Sequence, residues 1–287
     1  MIRDSYRIKP NYAGQDRLVT WSNAFPGSGM LARLYRTDFH VHSYLSDCGS
    51  PEATPKAILR AAQEAKLEAL GLSDHIIIPA DKVRPGKLRT QVPKQISEMR
   101  VYVGCEADVT SPTEIAIDAE FARTLDYVMV SASHLYEPRT NHPIRAMDVR
   151  TQSAYLLSTM NLAVECGFAD VVVHPFIVPV GLYDFRELVA EADPEAISRL
   201  GEKAARAGVA IEFNPRVLHR WPDAAQWLFG RLLDTGVKLA INSDCHHPHG
   251  LGCRGQEYAS EEDMRAVGVT DDVVWRIEDR VSDKVRP

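Results

Sequence analysis

The chain has 287 residues, of which 45 % are hydrophobic and 25 % charged, and its formal net charge is -6 at pH 7. That length can bury a large core, and the composition is typical of a soluble globular protein. The negative charge argues against binding of long nucleic acid, which usually requires a basic excess. No apolar run could span a membrane, the N-terminus lacks a signal-peptide pattern, and the five cysteines form no Cys-x-x-Cys pair. We therefore expect a cytoplasmic protein with reduced thiols and no membrane partner.

Residues 1–34 differ from the rest of the sequence. They contain several prolines and glycines among scattered charges, with no helical or strand period. We interpret this segment as an irregular extension that packs on the main domain or on a second subunit, with Trp21 as its anchor. A homo-oligomer formed through this extension is therefore an expectation. Residues 35–287 are expected to form the single folded domain.

From Tyr35 onward, predicted strands and helices alternate. Strands are expected at residues 35–41, 69–73, 101–106, 126–133, 170–173, 209–213 and 237–242, with a short strand or turn at 113–117. Helices are expected at residues 54–66, 150–166, 194–207, 222–235, 260–267 and 271–280. Seven β-then-α units with short connections favour parallel strands, and closing them into a barrel is the economical way to bury them. The predicted fold class is α/β, a seven-stranded barrel.

Side chains that bind metals recur where these strands end. His40 and His42 are two residues apart on one strand, so they share a face. The strand ends of an α/β barrel meet at one face, which would bring nine such residues together: His40, His42, Asp47, His75, Glu106, His134, His174, Asp244 and His246. Nine are too many for one tetrahedral zinc ion, so two or three divalent ions are needed. Imidazole and carboxylate ligands suit Zn, Mn or Fe. We expect only nitrogen and oxygen ligands, because Cys105 and Cys245 adjoin ligands on strands and so face away.

These motifs resemble the PHP family, the polymerase and histidinol phosphatase superfamily of metal-dependent phosphoesterases, over about residues 35–250. The matching segments are His40-Val-His42 with Asp47, Ser73-Asp74-His75, Glu106 after a strand, His134 in Ser-Ala-Ser-His, His174-Pro175, and Asp244-Cys245-His246. The resemblance implies a distorted, TIM-like (β/α)7 barrel of the PHP type that holds up to three divalent ions. Some family members have histidine at the position of Asp47.

The resemblance also divides the ligands among three ions. It assigns the first ion to His40, His42, Glu106 and Asp244, the second to Asp47, His75 and His246, and the third to Glu106, His134 and His174. Glu106 would bridge two of these ions.

The activity implied by the resemblance is hydrolysis of a small phosphate monoester or diester by a metal-bound hydroxide at a di- or trinuclear site. Neighbouring divalent ions lower the pKa of a shared water and neutralise charge on phosphate oxygens. An amidohydrolase that cleaves a C–N bond is the alternative, but such enzymes often have a bridging lysine where this chain has Glu106. A non-catalytic PHP module is a third hypothesis, which loss of several ligands would indicate.

Residues outside the ligand set are candidates for substrate binding. Arg216 follows the sixth predicted strand and is a candidate for a bidentate phosphate contact. Residues 79–100 carry an excess of positive charge, so Arg84 and Arg89 could form a cationic rim, although a solvated loop is the alternative. His247 directly follows the last ligand motif and is a further candidate for substrate contact.

Overall fold

The structure is a computed structural model that describes residues 34–143, 147–178 and 182–280. All but the last residue of the expected N-terminal extension, including Trp21, lie outside these ranges. The extension, its boundary and the oligomer formed through it therefore stay predictions.

Strands and helices alternate along most of the described chain. The strands are β1 (Thr37–Asp38), β2 (Ala69–Leu72), β3 (His75–Ile76), β4 (Gln95–Ile96), β5 (Met99–Val103), β6 (Cys105–Ser111), β7 (Glu114–Ile115), β8 (Val128–Ser131), β9 (Val171–Val173), β10 (Ala210–Phe213) and β11 (Leu239–Ile241). The α-helices are α1 (Pro55–Glu64), α2 (Arg84–Arg89), α3 (Ala119–Ala122), α4 (Val149–Glu165), α5 (Phe185–Ala190), α6 (Pro194–Ala207), α7 (Pro215–Arg220), α8 (Pro222–Leu233) and α9 (Glu261–Ala266). Among the described helices, none has the length and apolar character needed to cross a membrane.

Helix ends follow their local sequence signals. Thr54 caps α1, where its side chain accepts a hydrogen bond of 3.3 Å from the Ala57 amide, and Pro55 occupies the first helical position. Helix α6 ends at Gly208, whose φ of 62° lies in the left-handed region that glycine adopts without a steric penalty. Helix α1 therefore begins, and helix α6 ends, where the sequence predicts.

The strands that carry the predicted ligands are parallel. β1 pairs with β2, β2 with β5, β3 with β6, β6 with β8, β8 with β9, β9 with β10, and β10 with β11. Short breaks separate β2 from β3 and β5 from β6, so each pair acts as one interrupted strand. A parallel bridge between Val41 and Cys245 then joins the segment after β1 to the segment after β11. This arrangement confirms the predicted α/β, TIM-like fold, and the breaks account for its distortion.

Aromatic residues fill the space enclosed by these strands. Tyr127 is fully buried and donates a hydrogen bond of 2.7 Å to the carbonyl oxygen of Phe39. A Cβ atom at Gly71 would lie 2.4 Å from the Tyr127 hydroxyl, so only glycine leaves room for this ring. Trp275 packs against Phe39 in the same cluster. These aromatic side chains thus form part of the buried core between the strands.

The strand expected at residues 35–41 is shorter, Thr37–Asp38, so His40 and His42 follow it. Two other predicted segments also differ from expectation. Residues 271–280 do not form a helix, and only a 3₁₀ turn at Ile277–Asp279 is present, because Val274 bridges to Leu239 and Trp275 is buried in the aromatic cluster. The predicted loop 79–100 contains a 3₁₀ segment, α2 and the antiparallel strand β4. Tertiary contacts outweigh the weak local preferences of both segments.

Candidate metal centre

Glu106 lies at the middle of the polar cluster. It is the second residue of β6 and is fully buried. Its Oε2 atom lies 3.1 Å from Nε2 of His40, 3.3 Å from Nε2 of His42 and 3.1 Å from Nδ1 of His75. One carboxylate oxygen thus faces three imidazoles that come from two neighbouring segments of the barrel.

The other oxygen of Glu106 faces two more imidazoles. Oε1 lies 2.8 Å from Nε2 of His174 and 4.0 Å from Nε2 of His134. Asp108, two residues further along β6, lies 3.1 Å from Nδ1 of His134 and 3.5 Å from Nδ1 of His75. Sequence analysis missed Asp108, although its spacing from Glu106 places both carboxylates on one face of a strand.

Asp244 completes the polar contacts of the first two histidines. Its Oδ1 atom lies 3.5 Å from Nε2 of His40 and 3.4 Å from Nε2 of His42. Asp244 and His174 have φ values of 52° and 32°, which are uncommon for residues other than glycine. Backbone strain of this kind concentrates at functional sites, and here it falls on two predicted ligands.

Asp47 is not in the cluster, contrary to the assignment that the resemblance implied. Its side chain is 59 % exposed and accepts hydrogen bonds of 3.2 Å from Arg84 and 2.6 Å from Arg139. The next residue, Cys48, approaches His42 and His246 instead. Cys48 is therefore a candidate sulfur donor that the expectation of nitrogen and oxygen donors alone did not include, whereas Cys105 and Cys245 lie in apolar clusters as expected.

Three groups of donor atoms could each hold an ion, because their atoms lie within 4.8 Å of one another. The inner group contains His40, His42 and Glu106, the middle group contains His75, Glu106, Asp108 and His134, and the outer group contains His42, Cys48 and His246. The structure thus brings eight of the nine predicted ligands into or beside these groups and leaves Asp47 outside them.

Buried atoms in these groups indicate that the residues fit divalent ions. Nε2 of His42, Nδ1 of His75 and Oδ1 of Asp108 are buried and have no hydrogen-bond partner in the described part of the chain. Buried polar atoms normally have a partner, so three such atoms among these groups require an explanation. A cation between them supplies it, since imidazole nitrogens and carboxylate oxygens are ordinary ligands of divalent metals.

Residues outside the predicted ligand set orient two of the histidines. Glu212 is buried on β10, and its Oε1 atom lies 2.7 Å from Nδ1 of His40. Its Oε2 atom accepts a hydrogen bond of 2.8 Å from the His174 amide. Ser133 Oγ lies 2.6 Å from Nδ1 of His174, so Nε2 of both histidines points toward Glu106. Partners of this type fix the ring and raise its basicity. Sequence analysis missed Glu212, whose signal is a charge within the otherwise apolar strand Ala210–Phe213.

The charged groups perturb one another strongly. Burial alone lowers the pKa of His40, but Glu212 and Glu106 outweigh this effect and hold the pKa well above its ordinary value. Burial likewise lowers the pKa of His42, yet the neighbouring Cys48 and Asp244 raise it to about 9. Burial raises the pKa of Glu106, while His75 and His40 lower it well below its usual range. Positive charge is thus stabilised at this position, as a metal ion requires.

The two arginines proposed for a cationic rim have different surroundings. Arg84 donates 2.8 Å to the carbonyl oxygen of His75 and also binds Asp47, so it lies beside the centre. Arg89 donates to both carboxylate oxygens of Asp126 and to two backbone carbonyls. These acceptors occupy the Arg89 guanidinium in a structural contact, so we remove it from the candidate substrate residues.

The other two candidates for substrate binding, Arg216 and His247, each have an aromatic neighbour. The Arg216 guanidinium packs over the ring of Tyr258 at 4.6 Å, and the exposed ring of His247 stacks on His249 at 5.4 Å. Phosphate binding by Arg216 and substrate contact by His247 stay predictions. Arg139 was missed by sequence analysis because its 2.6 Å ion pair with Asp47 joins residues distant in the sequence.

Known proteins share this fold. A curated relative, the probable histidinol-phosphatase of Deinococcus radiodurans, is 25 % identical over 256 residues, which cover 80 % of this chain and 93 % of the relative. The histidinol phosphate phosphatase of Lactococcus lactis, solved with zinc, L-histidinol and phosphate, has a TM-score of 0.57 and 16 % identity over 81 % of this chain and 92 % of its own. The putative histidinol phosphatase of Listeria monocytogenes has a TM-score of 0.53 and 10 % identity over 75 % of this chain and 97 % of its own.

The family is identified by a match to a domain model. The model of the PHP domain matches residues 38–216. This range includes β2 to β10 and the predicted ligands from His40 to His174. Because the match covers more than half of the chain, the protein belongs to the PHP domain family.

Proposed function

We propose that this protein is a metal-dependent phosphatase that hydrolyses a small phosphate monoester at a di- or trinuclear metal centre. The observation that carries the proposal is the position of Glu106, whose two oxygens face five histidines. A carboxylate in that position can bridge two cations and offset their mutual repulsion. The midpoint of the cluster is thus suited to hold ions close enough to act on one phosphate.

The roles of the chain's own residues follow from their contacts. The inner group with Asp244, and the middle group with His174, would each hold an ion. Glu212 keeps His40 oriented toward that centre. When bound, divalent ions supply a nucleophile from water at neutral pH and neutralise charge on the phosphate and the leaving group. Arg84 and Arg139 lie at the edge of the centre through their contacts with Asp47, where a guanidinium can pair with a phosphate oxygen.

A groove of about 480 Å³ is lined by residues that follow predicted ligands in the sequence. It is lined by Ile77 and Ile78, which follow β3, and by Thr110 of β6, two residues beyond Asp108. Arg139 and Glu114 place opposite charges in its wall. A small phosphate ester that also carries a positive group would find a partner for each charge. Histidinol phosphate has this character, and the names of the relatives support it as the first substrate to test.

The test is a phosphatase assay with metal-stripped protein and with protein reloaded with zinc or manganese. Histidinol phosphate, a panel of sugar and nucleoside monophosphates, and a matched nitrophenyl phosphate monoester and diester are compared. We expect release of phosphate from a monoester by the reloaded protein alone. A metal-loaded, folded protein that cleaves none of these esters would contradict the proposal, and cleavage of the diester only would change it to a phosphodiesterase.

A further inference from the structure

The segment between His42 and Ser50 is held in place by hydrogen bonds to residues that come later in the sequence. Asp74 accepts hydrogen bonds of 2.6 Å from both the amide and the hydroxyl of Ser43. The Ser50 amide donates 3.0 Å to the carbonyl oxygen of His246, which ties the segment to the last ligand motif. A Cβ atom at Gly49 would lie 1.9 Å from the carbonyl oxygen of Ser43, so this close turn requires glycine.

This turn directs two adjacent side chains to different surroundings. Asp47 turns outward, where Arg84 and Arg139 neutralise its charge. Cys48 places its sulfur within 4.8 Å of donor nitrogens of His42 and His246. Moving Asp47 into the centre would break two ion pairs and require the turn to be rebuilt.

A second observation points to a ligand at the same place. His42 is 1 % exposed, and its Nε2 atom has no hydrogen-bond partner in the ranges that the structure describes. This imidazole belongs to both the inner and the outer group, so an ion in either group can bind it. His246 contributes a second imidazole, whose ring stacks on that of His42 at 4.6 Å. Two imidazoles and a thiol form a donor set of the kind that holds tetrahedral zinc, with a fourth position left for water or substrate.

We propose that Cys48, and not Asp47, closes the outer metal site as a thiolate ligand beside His246 and His42, the histidine that the inner and outer groups share. This inference rests on the proposed function only in placing the site within the same metal centre. The thiol releases its proton to solvent when the ion binds. Sulfur is a soft donor, so the outer site would prefer zinc, cobalt or cadmium and would bind manganese or magnesium poorly.

Cobalt substitution tests the proposal through a signal that does not depend on activity. Metal-stripped protein is titrated with Co²⁺, and the near-ultraviolet thiolate-to-cobalt charge-transfer absorption is recorded. We expect this band in the native protein and in Asp47→Asn, and its loss in Cys48→Ser. Cys166→Ser is the matched control, because Cys166 lies at the end of α4 with its thiol donating to the Ala163 carbonyl oxygen, and it should retain the band.

Thiol labelling of the unmodified sequence supplies a test that needs no variant. Metal-stripped and zinc-loaded native protein are treated with iodoacetamide, and the peptide that contains Cys48 is quantified by mass spectrometry. We expect labelling of exposed Cys48 without metal and protection with zinc. We also expect the most weakly bound zinc ion to bind to Cys48→Ser more than about tenfold less tightly than to the native protein. Even residues that only orient a ligand contribute that much to metal affinity.

The outcomes separate this inference from the proposed function. A phosphatase whose cobalt form lacks the band, or keeps it in Cys48→Ser, would overturn the thiolate ligand and leave the function intact. A protein that shows the band and the zinc protection but cleaves no phosphate ester would support the ligand and overturn the function. Equal labelling of Cys48 with and without bound zinc would also overturn the ligand.

Discussion

The inner and outer groups of the metal centre are built from different parts of the fold. Glu106 lies on a strand, His40 lies two residues beyond one, and both side chains are fully buried. Cys48 and His246 lie on connecting segments, where Cys48 is exposed and the His246 side chain is 32 % exposed. Strand geometry fixes the direction of a side chain, whereas a loop can present either of two neighbours. The inner group should therefore tolerate change least, and the outer group should determine metal preference.

The largest expected effect is at Glu106, the shared member of the inner and middle groups. Glu106→Gln removes a charge that faces five histidines, so the ions would repel each other without compensation. We expect phosphatase activity to fall by at least about 10³-fold, at the upper end of the cost of losing a single electrostatic contact. Initial rates and metal content of the purified variant check this. If Cys48→Ser loses as much activity as Glu106→Gln, the distinction between the two regions is wrong.

A smaller effect is expected from Glu212, which contacts the inner group through the ring of His40. Glu212→Gln keeps the shape but loses the charge that orients His40. We expect metal affinity of the inner group to fall by about 10- to 100-fold, as for other residues that orient ligands. Competition with a chromogenic chelator measures this. A variant with native affinity would show that backbone position alone orients His40.

Metal binding should depend on pH because the ion displaces protons. In the metal-free protein the pKa of His40 is well above its ordinary value, and that of His42 is raised to about 9. The His42 imidazole therefore holds a proton at neutral pH, and affinity should rise by about tenfold per pH unit for each proton displaced. The rise should continue above pH 7. Calorimetric titration in buffers of different ionisation enthalpy counts the protons, and an affinity that is flat above pH 7 would contradict the raised values.

The smallest expected effect is at the edge of the centre. Arg139→Ala removes a guanidinium that is 32 % exposed and paired with Asp47, so we expect KM to rise roughly 3- to 10-fold with little change in kcat. Arg89→Ala is the matched control, because its ion pair with Asp126 is structural and its loss should lower thermal stability without changing KM. Steady-state kinetics and thermal melting separate these effects. A similar rise in KM for both variants would return Arg89 to the substrate rim.

The sequence alone predicted the fold class and the residues of the inner group. Alternating strands and helices indicated parallel pairing, and ligands at strand ends had to meet at one face. His40, Glu106 and His174 could be placed in this way because each lies on or just after a predicted strand. Family resemblance supplied the phosphoesterase hypothesis, which composition and periodicity alone did not.

Only the tertiary structure decided which residues complete and support the centre. Asp47 and Cys48 are adjacent in the sequence, but Arg139, which binds Asp47, is 92 residues away from it. The local sequence therefore does not show that Asp47 turns toward Arg139 while Cys48 faces His246. Glu212 likewise acquires its role from His40, a residue that follows another strand. Local sequence fixes the direction of a side chain where backbone hydrogen bonds repeat regularly. In a turn that direction depends on long-range contacts, which form only when the chain has folded.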